Sequence, residues 1–329
     1  MKHITIIGDG GWGTALAMIL HGNGHRVTLW GPDASYLEQI VAGGVNPRFL
    51  PGVNLPAALR WTANEGEAVA GAEGIVLAVP SRFYAATLER FKPVLPASYH
   101  LVSVSKGFDQ QTHQRLSAIA ATTWNHPSVA ALSGPSHAEE VARGVPTAVT
   151  VASTDAAEAA FWQEAFNSRT FRVYTSEDVT GVEVGGALKN VIAIAAGICD
   201  GLGFGDNTKA ALMTRGLAEI TRLGIRLGAQ PATFSGLSGI GDLMVTCMSR
   251  HSRNRGVGER IGKGERIEAI LGGMQQVAEG VWTAKAAKHL TREINVDLPI
   301  TDEVFAVLYE GKDPREAVQA LMTRPPKPE

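Results

Sequence analysis

Several residues in this sequence have types and neighbours that suit chemistry. Lys189 and Asn190 lie in EDVTGVEVGGALKNVIAIAAGIC, residues 177–199, a stretch apolar nearly all round that predicts a buried helix. A lysine inside such a helix needs a partner or a lowered pKa, and desolvation makes it a candidate general base near neutral pH. The other reading is an exposed Lys189 whose stem covers apolar surface. Lys106, in SVSKG, follows an apolar run and would lie at the carboxyl end of a strand, where open α/β sheets bind ligands. In SGIGDLMVTCMSRHSRNRGVG, residues 238–258, Arg250, Arg253 and Arg255 alternate with small polar residues. Ser252, Arg253 and Asn254 could present a guanidinium and amides to one phosphate; a solvated loop or a weak RNA-binding patch is the bland alternative. Asp242 precedes an apolar stretch and is either a helix cap or a site carboxylate. His137 has no metal-spaced partner, so packing at a helix start is its expected role.

Gly8-Asp9-Gly10-Gly11-Trp12-Gly13 fits GxGxxG between a strand-length run and the helix former TALAMIL. In such a turn Gly8 permits the tight bend, Gly10 lets a pyrophosphate approach the backbone, and Gly13 lets helix and strand pack closely, with phosphate at the helix N-terminus. The acidic residue expected after the second strand is delayed to Asp33 by Gly31 and Pro32, and Asp33 reads equally as a turn residue or a ribose ligand. Trp12 and Phe83 either line a ring pocket or belong to the core.

These residues need a scaffold, and the first half supplies one. Apolar runs at 4–8, 26–30, 74–79, 100–105, 128–133, 147–152 and 171–174 are too uniformly apolar for one-sided burial. They predict an α/β fold, an N-terminal Rossmann-like doubly wound, mostly parallel sheet. After about Thr180 the strand signal stops, and helices punctuated by Gly-rich turns at 201–207, 236–242 and 256–264 predict a C-terminal all-helical domain. The division expected is residues 1–180 for dinucleotide binding, 181–323 for substrate and catalysis, and a disordered tail at 324–329. Thr180 and Glu183 offer a capping box at the start of the buried helix.

The 329 residues suffice for about two domains, and 45% apolar against 19% charged residues describes a globular chain. A net charge of −2 gives no overall field for nucleic acid or an anionic membrane, so any anion is met locally. Cys199 and Cys247 form no CxxC or zinc spacing, which suits a reducing compartment. The N-terminal apolar run is too short for a signal core, and no later stretch of 18 uncharged apolar residues occurs, so a cytoplasmic protein without membrane insertion is expected.

Together GDGGWGTALA, NPRFLPGV, AVPS, SVSKG, SGPSHAEE, GGALKNVIAIAAGICDGLGFGDNTKAAL, SGIGDLMVTC, SRNR and VAEGV resemble the NAD(P)-dependent glycerol-3-phosphate dehydrogenases of the bacterial type, from about residue 8 to residue 300. The resemblance implies reversible hydride transfer between sn-glycerol 3-phosphate and dihydroxyacetone phosphate with NAD or NADP, supplying glycerol phosphate for phospholipid synthesis, in a homodimer. It implies Lys189 as proton acceptor with Asn190, Asp242 and Thr246 in the catalytic group. Substrate contacts would come from Lys106, Gly134, Ser136, Lys189, Asp242, Ser252, Arg253 and Asn254. Cofactor contacts would come from Gly8, Gly10, Gly11, Trp12, Gly13, Phe83, Lys106, Ala138, Arg253, Val277 and Glu279. Family members commonly carry Ser where Gly11 stands, a change expected to matter little because the backbone amide does the work. Many also carry a basic or polar residue after LW, where this chain has Gly31 and Pro32, with no basic residue until Arg48. That segment predicts that NADH serves at least as well as NADPH. Two other readings stay open on sequence grounds: a related two-domain hydroxyacid dehydrogenase, and a non-catalytic dinucleotide sensor.

Overall fold

All seven apolar runs become strands of one eight-stranded sheet in the computed structural model, which describes residues 1–274, 276–326 and 328. In chain order the strands are β1 (His3–Ile7), β2 (Arg26–Trp30), β3 (Val45–Asn46), β4 (Leu50–Asn54), β5 (Arg60–Thr62), β6 (Gly74–Leu77), β7 (His100–Ser103), β8 (Ala130–Ser133), β9 (Thr147–Ala152) and β10 (Phe171–Ser176). The sheet order is β10-β9-β8-β7-β6-β1-β2-β5, and β8 with β9 is the antiparallel pair in it. From β1 the chain winds outward through β2 to β5, then recrosses to β6 and proceeds the other way. The carboxyl ends of β1 and β6 therefore diverge at a switch point, where open α/β sheets form their ligand crevice.

The uniform apolarity of the strands reflects burial on both faces. Ile4 and Ile6 pack with Leu16 and Leu20 of the Gly11–Gly22 helix, while Ile7, Ile75 and Leu77 pack with Tyr84, Leu88 and Phe91 of the Ser81–Phe91 helix. Of the three further strands β3 has two residues and β5 three, and Pro51 and Gly52 interrupt β4, which removes the sequence signal. β3 and β4 form a separate antiparallel hairpin.

Beyond Ser176 the described residues form helices and turns. The Val179–Gly201 helix is buried from Gly181 to Cys199 and runs through the core of the helical part. It is long and apolar enough to cross a membrane, and all of that apolar surface is covered by the protein itself. Its cap differs from the expected box. Asp178, one residue before the helix, accepts from the Gly181 amide at 2.8 Å and also from Gln230 N and the Thr233 hydroxyl, which ties the helix start to its neighbour. Glu183 turns instead to Ser117 N at 2.8 Å and to Arg115 at 2.7 Å.

The Gly-rich segment expected as a turn at 256–264 lies largely within the Arg253–Gly262 helix, and 236–242 is a π-helical turn at Leu237–Gly241 leading into the Asp242–Met248 helix. In the first case the glycines serve helix crossing rather than turning. A Cβ on Gly258 would run into the Ile194 carbonyl, and one on Gly197 into the Arg255 carbonyl, so the two backbones can touch. Gly256 in the same helix has nothing within 4 Å of such a Cβ. Gly258→Ala should therefore lower unfolding free energy by about 1–3 kcal/mol through overpacking, whereas Gly256→Ala should be neutral or raise it by about 0.5–1 kcal/mol. Denaturant unfolding of both variants measures the contrast, and equal effects would contradict the close crossing. In the tail, Arg324 donates to the Asp297 carboxylate at 2.8 Å, and Lys327 and Glu329 lie outside the described residues.

Candidate active site

Lys189 is buried, which settles the choice between a covered and an exposed side chain. Its Nζ donates to the Asp242 carboxylate and, at 2.8 Å, to the Thr246 hydroxyl, which in turn donates to the Asp242 carbonyl at 2.6 Å. The helix places Lys189 in the core, and the π-helical turn delivers Asp242 at the start of the next helix, so the Asp242 carboxylate meets two lysines and does not cap its helix. Lys106, just beyond β7, donates to the other Asp242 oxygen at 2.6 Å and to the Gly134 carbonyl at 3.3 Å. Ser133, at the end of β8, donates to the same Asp242 oxygen at 3.2 Å. Ser136 donates to the Gly134 carbonyl at 2.9 Å, keeping the loop after β8 tight.

Two ammonium groups thus share one carboxylate with little water. Burial alone would raise the Asp242 pKa, but Lys106 and Lys189 overcome it and hold that carboxyl below the usual range. Burial pushes the Lys189 ammonium well below the ordinary lysine value, with the Lys106 charge acting in the same sense and Asp242 opposing. Neutral Lys189 beside an Asp242–Lys106 pair leaves the cluster balanced, so the amine can exchange a proton at modest cost.

Asn190, one residue on, belongs to a second network. Asn254 donates to its side-chain oxygen at 2.9 Å and accepts from Gly280 N at 2.8 Å. The Asn254 side chain thus joins the two elements, and its backbone amide stands in the first turn of the Arg253–Gly262 helix. Ser252 caps the Arg253–Gly262 helix by accepting from Arg255 N, which leaves the Arg253 and Asn254 amides as first-turn donors. Arg253 is exposed and donates to the Val277 carbonyl at 3.0 Å. Glu279 accepts from Ser81 N at 3.1 Å and from the Ser81 hydroxyl at 2.5 Å, tying the helical part to the start of the Ser81–Phe91 helix. Phe83 is exposed on that helix, with Arg82 stacked over it. His137 precedes the short Ala138–Val141 helix, its ring 5.9 Å from that of His251, with Nε2 buried and unpartnered.

The glycine turn fits a pyrophosphate. Gly8 has φ +128°, and a Cβ there would lie 2.5 Å from the Ala78 carbonyl; a Cβ on Gly13 would lie 2.5 Å from the Gly8 carbonyl. Gly10 has nothing within 4 Å, so the approach to the helix N-terminus is open. Gly11 is a correction to expectation. A Cβ there would collide with the Phe49 carbonyl, so a serine would force the β3–β4 hairpin to move. Ala138 lies 3.7 Å from the same position, which brings the loop after β8 to the turn. Trp12 packs near Phe171, ring centroids 6.4 Å apart, as part of the sheet core, and Asp33 caps the Ala34–Gly43 helix by accepting from Tyr36 N.

The structure thus gathers Lys106, Lys189 and Ser133 around the Asp242 carboxylate, with Gly134 bound to Lys106 and Thr246 to Lys189, and it joins Asn190, Asn254 and Gly280 to one another. Sequence reasoning passed over Ser133, Ser81 and Gly280. The first two stand at the carboxyl ends of apolar runs, in SVAALS and AVPS, which is the signal that could have found them.

Comparison with known proteins agrees along the whole chain. Residues 3–159 match the family described as NAD-dependent glycerol-3-phosphate dehydrogenase N-terminus, and residues 178–319 match its C-terminus. A glycerol-3-phosphate dehydrogenase (NAD(P)+) of Geobacillus thermodenitrificans is 50% identical over 333 residues, covering 100% of this chain and 97% of the relative. One from Anaeromyxobacter dehalogenans is 50% identical over 328 residues, covering 99% of each. The crystal structure of glycerol-3-phosphate dehydrogenase from Coxiella burnetii is similar with a TM-score of 0.95 at 36% identity, covering 98% of this chain and 99% of that one.

Proposed function

Because the chain belongs to the NAD-dependent glycerol-3-phosphate dehydrogenase family and interconverts sn-glycerol 3-phosphate and dihydroxyacetone phosphate with NAD(H) or NADP(H), we propose that Lys189 carries the proton in that reaction. The observation that carries this reading is a buried lysine held by Asp242 and Thr246 beside the carboxyl ends of β7 and β8. A bound nicotinamide ring supplies the hydride acceptor or donor. In oxidation, neutral Lys189 takes the proton from the substrate hydroxyl at its Nζ; in reduction, protonated Lys189 returns it and stabilises the developing alkoxide. Asp242 and Thr246 hold Nζ in place, and Asn190 fixes the adjoining turn. Lys106 supplies a second positive group beside the reacting oxygen.

Arg253 and the first-turn amides near Asn254 are assigned to the substrate phosphate, whose binding energy aligns the reacting carbon. Gly134, Ser136 and Ser252 shape that space. The turn from Gly8 to Gly13, with Phe83, Ala138, Val277 and Glu279, is assigned to the cofactor. Residues 1–180 then form the dinucleotide domain and 181–323 the substrate and catalytic domain, with Lys106, Gly134 and Ser136 of the first reaching the substrate and Val277 and Glu279 of the second reaching the cofactor. The reading extends to a homodimer in the cytoplasm without membrane insertion, feeding phospholipid synthesis; its longest apolar helix is already covered within the chain.

Arg253→Ala should lower kcat/KM for dihydroxyacetone phosphate by about 10- to 100-fold, the scale of one charged hydrogen bond, and change any residual use of unphosphorylated dihydroxyacetone far less. Steady-state kinetics on both substrates checks it. Equal losses would assign Arg253 to the cofactor or to the fold through its bond to Val277.

A further inference from the structure

In a doubly wound fold the segment after β2 meets the adenine ribose, and here that segment is acidic. Gly31 lies so close to Asp9 that a Cβ on it would be 2.7 Å from Asp9 Oδ2. Asp33, exposed, accepts from the Ser35 hydroxyl at 2.7 Å and from Tyr36 N at 3.1 Å. These two carboxylates alone would repel a phosphate on the ribose 2′-oxygen.

The β3–β4 hairpin brings the opposite charge to the same place. Buried Asn46 donates to the Asp9 carbonyl at 2.8 Å and to Thr14 Oγ1 at 2.9 Å, and it accepts from the Tyr36 hydroxyl at 2.6 Å. The Phe49 carbonyl rests against Gly11, so the loop between the two strands is fastened directly to the glycine turn. On that loop Arg48 is exposed, its guanidinium 4.2 Å from the centroid of the Tyr36 ring and 5.7 Å from that of Phe49. Its charge reaches both carboxylates: burial raises the pKa of Asp9 and Arg48 opposes that rise, while the Ser35 and Tyr36 bonds lower the pKa of Asp33 and Arg48 adds to them. A guanidinium held over an aromatic face by its charge still has N–H donors to offer a phosphate acceptor.

We propose that Arg48 is the cofactor-selecting residue of this chain, receiving the 2′-phosphate of NADP(H) on a guanidinium preset by Tyr36, while Asp33 opposes that phosphate and limits the preference for NADP(H). The inference rests on the dinucleotide reading of the glycine turn and extends it to a residue the segment after β2 does not contain. It also explains how a chain with Gly31, Pro32 and Asp33 at that position can accept either cofactor.

Calorimetric titration of the full-length protein with adenosine 5′-monophosphate and with adenosine 2′,5′-bisphosphate isolates the 2′-phosphate, because the two ligands differ in nothing else. Arg48→Ala should weaken the bisphosphate about tenfold or more and leave the monophosphate within about twofold. Arg48→Lys should restore part of the loss. Asp33→Asn, which keeps an oxygen for the helix cap, should tighten the bisphosphate alone. In kinetics, kcat/KM for NADPH should follow the bisphosphate and that for NADH should not move. Equal weakening of both ligands by Arg48→Ala, or no weakening of either, would overturn the assignment and leave Arg48 as a clamp on the hairpin. Failure of both ligands to bind the wild-type protein would instead overturn the cofactor reading of the turn, and this proposal with it.

Discussion

Asp242→Ala should destabilise the protein by about 3–5 kcal/mol at pH 7, the scale for removing one partner of a buried ion pair. Asp242 is 1% exposed and is the carboxylate that Lys106 and Lys189 share, so its removal leaves two ammonium groups facing each other without a counter-charge. The protein can respond by folding with Lys189 neutral. That response has a sign. The folded pKa of Lys189 already lies below the ordinary 10.5, and losing the carboxylate that supports its charge lowers it further. The unfolded chain then binds more protons than the folded one, so the variant's stability should rise as pH climbs toward the ordinary lysine value, and its deficit should shrink as pH rises to the wild-type Lys189 pKa of about 7 and stay level above it, where both proteins hold the amine neutral. Denaturant unfolding across that range tests both statements. A deficit under about 1 kcal/mol at pH 7 would mean that water, not Asp242, solvates the two lysines.

Lys189→Ala should lower turnover by about 10²–10⁴-fold, the range of general acid–base catalysis, while NAD(H) binding stays near wild type. The variant keeps the Asp242–Lys106 pair, so no buried charge is orphaned and the fold should survive. Lys189→Arg separates proton transfer from positive charge. A guanidinium stays protonated at every working pH and cannot act as a base, so this variant should also remain slow. Near-normal turnover in either variant would remove Lys189 from the mechanism.

The parallel sheet was legible because burial on both faces leaves unbroken apolar runs, and the glycine turn because its spacing and its place between strand and helix coincide. Lys189 was legible as a polar residue in an apolar helix, but its burial was not, since a stem covering apolar surface writes the same sequence. What local pattern missed was contact between distant segments. Asp242 as cap or carboxylate depends on Lys106 and Lys189, which lie far from it in the chain. Gly258 reads as a turn former until its helix is seen to cross the Val179–Gly201 helix at Gly197. Arg48 stood too far from β2 to count as a neighbour of the ribose, and only the anchoring of the hairpin by Asn46 brings it back. Gly11 was judged by its amide, whereas the Phe49 carbonyl decides which side chains fit.

Proton transfer by an amine whose pKa burial has lowered leaves its mark on the pH dependence of kcat/KM for glycerol 3-phosphate oxidation, measured in wild type and Lys189→Ala side by side. In the wild type the rate should rise with pH through a group well below the ordinary lysine value of 10.5, because the base must be neutral to accept the hydroxyl proton. The residual activity of Lys189→Ala should lack that rise. The same rise, at the same pH, in the variant would show that a group other than Lys189 takes the proton.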